Sequence, residues 1–109
     1  MAGTVKQVLM LGFKRTVTPD HQQELIRKYA ALTNSISAMK GFEWGTDVSE
    51  EKKHEGYTHC FIVTFESAEA RVEYLEHPVH VAFAKELFAA VEKITIFPFT
   101  TTVVLKSSC

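Results

Sequence analysis

The sequence predicts an α+β fold with chain order β-α-β-β-α-β, a four-stranded antiparallel sheet with helices packed on one face. Three observations lead there. Segments that alternate with a period of two open, divide and close the chain, and between them lie segments whose apolar residues recur at steps of three and four. Pro19 and Pro78 stand where helices begin, while Pro98 interrupts the last alternating segment as a sheet edge tolerates. The 109 residues suit one domain spanning 1–109, with a core from about 5 to 104 and a short polar C-terminal tail.

The first strand is "VKQVLMLGFK", which sends Val5, Gln7, Leu9, Leu11 and Phe13 to one face and Val8, Met10 and Gly12 to the other. Thr18, Pro19 and Asp20 then provide an N-cap hydroxyl, a proline for the first helical position and an acid at the positive end of the dipole. Leu25, Tyr29, Leu32, Ile36 and Met39 form one stripe of the helix that follows, which is expected to end at Gly41. "GFEWGTDVS" reads as a second strand with Phe42, Trp44, Thr46 and Val48 on one face, ahead of the charged loop "EEKKHEG". The third strand, "YTHCFIVTFE", directs Tyr57, His59, Phe61, Val63 and Phe65 one way and Thr58, Cys60, Ile62 and Thr64 the other. Ser67 caps the next helix, which breaks near His77 and restarts at Pro78 with Val79, Phe83 and Leu87. "KITIFPFTTTVVL" closes the chain as a strand. This is the split βαβ, or ferredoxin-like, arrangement.

Helices can cover only one face of such a sheet, yet Val8, Met10, Cys60 and Ile62 point to the other. A second copy is the simplest cover, so the expectation is a homodimer, a dimeric α/β barrel closed between two sheets. Cys60 would then approach its own copy near the two-fold axis and is the candidate for an intersubunit disulfide under oxidising stress.

Twelve basic and thirteen acidic side chains give a net charge of −1, which offers no field for nucleic acid and no polybasic membrane anchor. No apolar run is long enough to span a bilayer, and "MAGTVKQVLM" lacks the pattern of a signal peptide. Two cysteines, Cys60 and Cys109, form no metal spacing or disulfide framework, and the final "KSSC" is neither a prenylation box nor a peroxisomal tripeptide. The expected location is cytoplasmic, with nuclear access by diffusion.

The stretch "YLEHPVHVAF" raises the question of function, because it sets Tyr74, His77 and His80 among residues that otherwise read as buried. His80, with an ordinary pKa of about 6.5, suits a general base at neutral pH. The break at Pro78 lets the Tyr74 hydroxyl turn toward that ring, where a hydrogen bond would fix its tautomer. Gln7, Tyr29, His59 and Phe61 are expected to line a gap between sheet and helices, mostly apolar with a few polar groups, as small-molecule sites are. The bland reading is that Tyr74 and His80 satisfy each other as a buried polar pair. His77 is expected to cap the second half of the broken helix, and His21 and His54 lie in polar contexts with no assigned role. Trp44 is expected to fill core or interface. His77 and His80 have helical i, i+3 spacing but no adjacent third ligand, so no metal is expected.

"MKGFEWGTDVS", "GYTHCFIVTFES" and "YLEHPVHVAF", in this order, resemble the plant stress-responsive dimeric α/β-barrel proteins, the Dabb family. The resemblance runs from about Val5 to the final strand and implies a ferredoxin-like homodimer. It also implies two functional branches. One holds heat-stable, stress-induced proteins without assigned chemistry. The other holds polyketide cyclases of the olivetolic acid cyclase type, which close a linear tetraketide by intramolecular aldol condensation without cofactor or metal. The base and its positioning tyrosine in that branch match His80 and Tyr74. The sequence departs from the branch at Gln7, where the cyclase has histidine, and at Phe61, where it has a smaller aliphatic residue. A broad family match with an incomplete cyclase pattern favours a stable, non-enzymatic protective protein. The alternative is a cofactor-independent cyclase acting on a small hydrophobic or polyketide ligand.

Overall fold

A computed structural model describes residues 3–50 and 55–106. His54, Cys109 and most of the charged loop lie outside the described residues. The alternating first segment forms β1 (Val5–Phe13), and the Pro19 signal starts α1 (Pro19–Ser35), with the Thr18 hydroxyl accepting the His21 N–H at 3.1 Å. Then come β2 (Gly41–Thr46), β3 (His59–Phe65), α2 (Ala68–Glu76), α3 (Pro78–Ala90) and β4 (Val91–Thr100). The sheet order is β2-β3-β1-β4 with every neighbouring pair antiparallel, and the helices cover one side. Pro98 lies opposite Gln7 on β4, an edge strand where its missing N–H breaks no interior ladder.

Four boundaries differ from the sequence reading. The first helix stops at Ser35, because Ile36 turns to an extended backbone, so Ile36 and Met39 are buried from the following turn and Gly41 opens β2. β2 ends at Thr46 and leaves Val48 90% exposed, since only residues 41–46 find partners on β3. β3 starts at His59, and Tyr57 hydrogen-bonds Thr95 of β4 instead of continuing the inward face. β4 ends at Thr100, so Val103 to Leu105 project as exposed chain beyond the last strand partner, Val5.

The core lies between the sheet and the helices. Leu9, Leu11, Phe61, Val63 and Phe65 meet Leu25, Tyr29, Leu32, Tyr74, Phe83 and Leu87 there, all buried. Tyr29 is its aromatic centre, with ring centroids 4.9 Å from Phe42, 5.1 Å from Phe61 and 5.2 Å from Phe83. On the opposite side Val8 pairs with both Ile62 and Phe97, and Met10 with Cys60. These residues form an apolar band across three strands, with Phe97 62% exposed. No described helix is long and apolar enough to cross a membrane.

Candidate functional site

The site is a product of the helix break. In a continuous helix the Val79 N–H would reach the Leu75 carbonyl, and residue 78 would donate to Tyr74. Pro78 has no N–H to give, and His77 sits in an extended conformation between the helices. The Val79 N–H therefore turns to His77 Nδ1 at 3.1 Å, while the His77 N–H takes the Tyr74 carbonyl at 3.2 Å. This is the capping role expected of His77. The Leu75 carbonyl, freed from helical duty, meets His80 Nδ1 at 3.3 Å.

A carbonyl only accepts, so the neutral His80 ring carries its proton on Nδ1 and keeps the lone pair on Nε2. The backbone thus holds the tautomer, not the Tyr74 hydroxyl; Tyr74 contributes ring contact, its centroid 4.2 Å from that of His80. Burial holds His80 below its ordinary 6.5, opposed by the Leu75 hydrogen bond and aided by the charges of Arg71 and His77. At neutral pH the ring is therefore a free base.

Beside it lies a cavity of about 170 Å³ between β1, β4 and the three helices. Leu9, Phe83, Leu87 and Ile96 form its apolar walls, and Gln7, Tyr29, Arg71, Tyr74 and His80 its polar lining. Gln7 is only 2% exposed, and its Oε1 accepts from Arg71 Nε at 2.7 Å. The Tyr29 hydroxyl is buried and meets no partner at full hydrogen-bond geometry among the described residues, while the Tyr74 hydroxyl and the Gln7 side chain lie beside it as loose hydrogen-bonding neighbours that act on its ionisation. Burial pushes the Tyr29 phenol well above its ordinary range, so it stays a neutral donor.

Of the sequence-derived candidates, Gln7, Tyr29, Tyr74 and His80 come together in this cavity. His59 and Phe61 do not line it. The His59 ring stacks with Trp44 at 6.2 Å and meets the Phe13 edge at 5.2 Å, with Nδ1 2.8 Å from the Thr58 hydroxyl. Phe61, 1% exposed, is spent as core against Tyr29. Arg71 was missed, since within "AEARVEYLE" it reads as one more surface charge. The available signal was its spacing of three from Tyr74, which puts both on one helix face.

A wider, shallow hollow of about 440 Å³ lies around Met10, Gly45, Tyr57, His59 and Cys60, at one end of the apolar band and partly polar through Asp47 and Glu55. Among the described residues no group of three or more His, Cys, Asp or Glu side chains is arranged to hold a metal ion.

Comparison with known proteins gives a consistent picture. The family described as Stress responsive A/B Barrel Domain, Dabb, matches residues 5–101. The chain is 48% identical over 100 residues to the stress-response A/B barrel domain-containing protein HS1 of Arabidopsis thaliana, covering 92% of each chain. It is 43% identical over 96 residues to olivetolic acid cyclase of Cannabis sativa, covering 88% of this chain and 95% of the relative. Among solved structures, hydroxynitrile lyase from Passiflora edulis superposes with a TM-score of 0.91 at 27% identity, over 97% of this chain and all of that one. A protein from Thermobifida fusca described as dimeric and ferredoxin-like shares the fold at 18% identity and a TM-score of 0.79, over 93% of each chain.

Proposed function

The chain belongs to the stress-responsive A/B barrel domain family, and from that premise we propose that it is a homodimeric, cofactor-independent enzyme that uses His80 as a base on a small carbonyl compound. The observation that carries this reading is the Leu75 carbonyl, which holds the Nδ1 proton of His80 and leaves Nε2 as a lone pair on a ring that lines a mostly apolar cavity. A residue kept only as a satisfied polar partner has no need of an apolar-walled cavity beside it, lined also by a buried phenol that meets no partner at full hydrogen-bond geometry among the described residues.

The chemistry is an aldol closure of the kind associated with the polyketide-cyclase branch. His80 Nε2 takes a proton from a methylene between two carbonyls, and the C–H electron pair moves onto oxygen as an enolate. The enolate carbon attacks a further, more distant carbonyl of the same molecule. A C–C bond forms, and the resulting alkoxide recovers the proton from His80. Tyr29, kept neutral, donates to the oxygen on which charge develops, the kind of pre-aimed donor that lowers such barriers by about 2.7–4 kcal/mol. Tyr74 positions the His80 ring through their ring contact. Gln7 orients but cannot exchange protons near neutrality.

At about 170 Å³ the cavity holds roughly six waters' worth of space, which suits a short substrate. The exposed apolar band, from Val8 to Phe97, supports a second copy as its cover. A second reading, a stable protective barrel without chemistry, is favoured by the higher identity to HS1 than to the cyclase. Coupling the protein to a type III polyketide synthase with acyl-CoA starters separates the two. Cyclised acid that vanishes in His80→Ala supports the enzyme. Only lactone by-products, with or without the protein, refute it, and suppression of a client protein's thermal aggregation then supports the protective role.

A further inference from the structure

We propose that Arg71 is the anion-recognition group of the His80 cavity and that the ligand it selects is a carboxylate, a short oxo acid in place of a neutral ketone. The inference rests on the reading of this cavity as a ligand site and adds the class of ligand.

Arg71 projects from α2 and is anchored through Nε to Oε1 of Gln7, a side chain 64 residues away on β1 and itself 2% exposed. That bond fixes the plane of the guanidinium at the cavity wall. It uses one of five N–H donors and, because a carboxamide is neutral, cancels none of the charge. Both ion pairs among the described residues belong to Lys28, with Glu24 and Glu86, and neither touches the cavity. A half-buried guanidinium oriented by a neutral acceptor has the geometry of a group awaiting an anion, since Arg presents two further N–H groups in the fork that matches a carboxylate.

The Tyr29 hydroxyl is the second, independent sign. It is in a side chain 1% exposed, without a partner among the described residues, lining the same cavity. A buried hydroxyl left unpaired is a standing cost that a ligand oxygen would remove. A short oxo acid offers its carboxylate to the Arg71 fork and its keto oxygen to the Tyr29 O–H, and a simple carboxylate such as benzoate, with about four acceptor sites, can take both donors itself. A phosphate fits less well, because a single cation faces walls made by Leu9, Phe83 and Ile96.

The test is titration of the full-length protein with benzoate, benzamide and inorganic phosphate, by calorimetry and by NMR of the His80 ring. Benzoate is expected to bind roughly 10- to 100-fold tighter than benzamide, the ratio for one charge-assisted hydrogen bond. Arg71→Gln should erase that preference, weakening benzoate by far more than benzamide. Arg71→Lys, which keeps the charge but loses the fork and guards against a folding defect in the first variant, should retain part of it. Equal binding of acid and amide by the wild type, a preference that survives Arg71→Gln, or displacement of benzoate by phosphate would overturn the assignment while the ligand-site reading stands. Neither organic probe perturbing His80 would overturn both.

Discussion

Tyr29→Phe should make the protein more stable and a poorer binder. The substitution deletes one oxygen, in a side chain 1% exposed, that has no hydrogen-bond partner among the described residues. Its ring contacts with Phe42, Phe61 and Phe83, at 4.9–5.2 Å, remain. An unpaired buried hydroxyl costs about 1–3 kcal/mol, so its removal should raise unfolding free energy by about 1 kcal/mol after allowing for relaxation and residual interaction with Tyr74. For a chain of this length that is a rise in Tm of ~4–8 °C. The usual result for a hydrogen-bonded buried tyrosine has the opposite sign, which makes the experiment decisive. Urea and thermal unfolding followed by circular dichroism, at fixed protein concentration because self-association adds to apparent stability, give the number. Benzoate affinity should fall about 10- to 100-fold in the same variant, the share of one hydrogen bond to a charged acceptor. A variant destabilised by 1 kcal/mol or more with an unchanged m-value would mean that the phenol is satisfied in solution, and the case for a donor reserved for ligand would collapse.

Four further outcomes follow from the same structure. Gly12→Ala should lose about 1–3 kcal/mol, read as a lower urea midpoint, because a Cβ there runs into the Gly56 carbonyl oxygen. His80 and His59 are both held below 6.5 by burial, so the unfolded chain binds protons first; stability should be level well above pH 6.5, decline as pH falls from about 6.5 toward the lowered folded values, and lose nothing more from these groups below them. His80→Gln should flatten part of that slope, and turnover, if set by the His80 base facing Arg71, His77, Tyr74 and the Leu75 carbonyl, should plateau by pH 7. Val8→Asp, placing a carboxylate in the apolar band, should turn a sedimenting dimer into a folded monomer, whereas a wild type that is monomeric at micromolar concentration would remove the premise of a second copy. Oxidised protein should show a dimer band on non-reducing gels that Cys60→Ser abolishes, provided the two Cα atoms lie within about 7 Å across the axis.

Legibility differed by the range of the interaction involved. Thr18, Ser67 and Pro78 announced their helix starts because capping involves residues two or three apart, and the inward face of β1 followed from simple alternation. The end of α1 was harder. Ile36 and Met39 continue the apolar spacing, yet they are buried from a turn, which spacing cannot distinguish from a helix. His59 shares a strand face with Phe61, so alternation put it beside the site. As the first residue of β3 it instead stacks with Trp44 and lines the hollow around Met10 and Cys60.

By itself, then, the sequence settled which segments are strands and helices, which faces are apolar, and that Tyr74 and His80 flank a helix break. Those features arise from local backbone preference and the periodic burial of side chains. Only the tertiary structure decided that the freed Leu75 carbonyl accepts from His80 Nδ1, that Arg71 reaches Gln7 across 64 residues, and that the Tyr29 phenol meets no hydrogen-bond partner among the described residues. Each of these depends on which donor meets which acceptor once α2 and α3 settle on the sheet, a matter of directional geometry that hydrophobic periodicity does not encode.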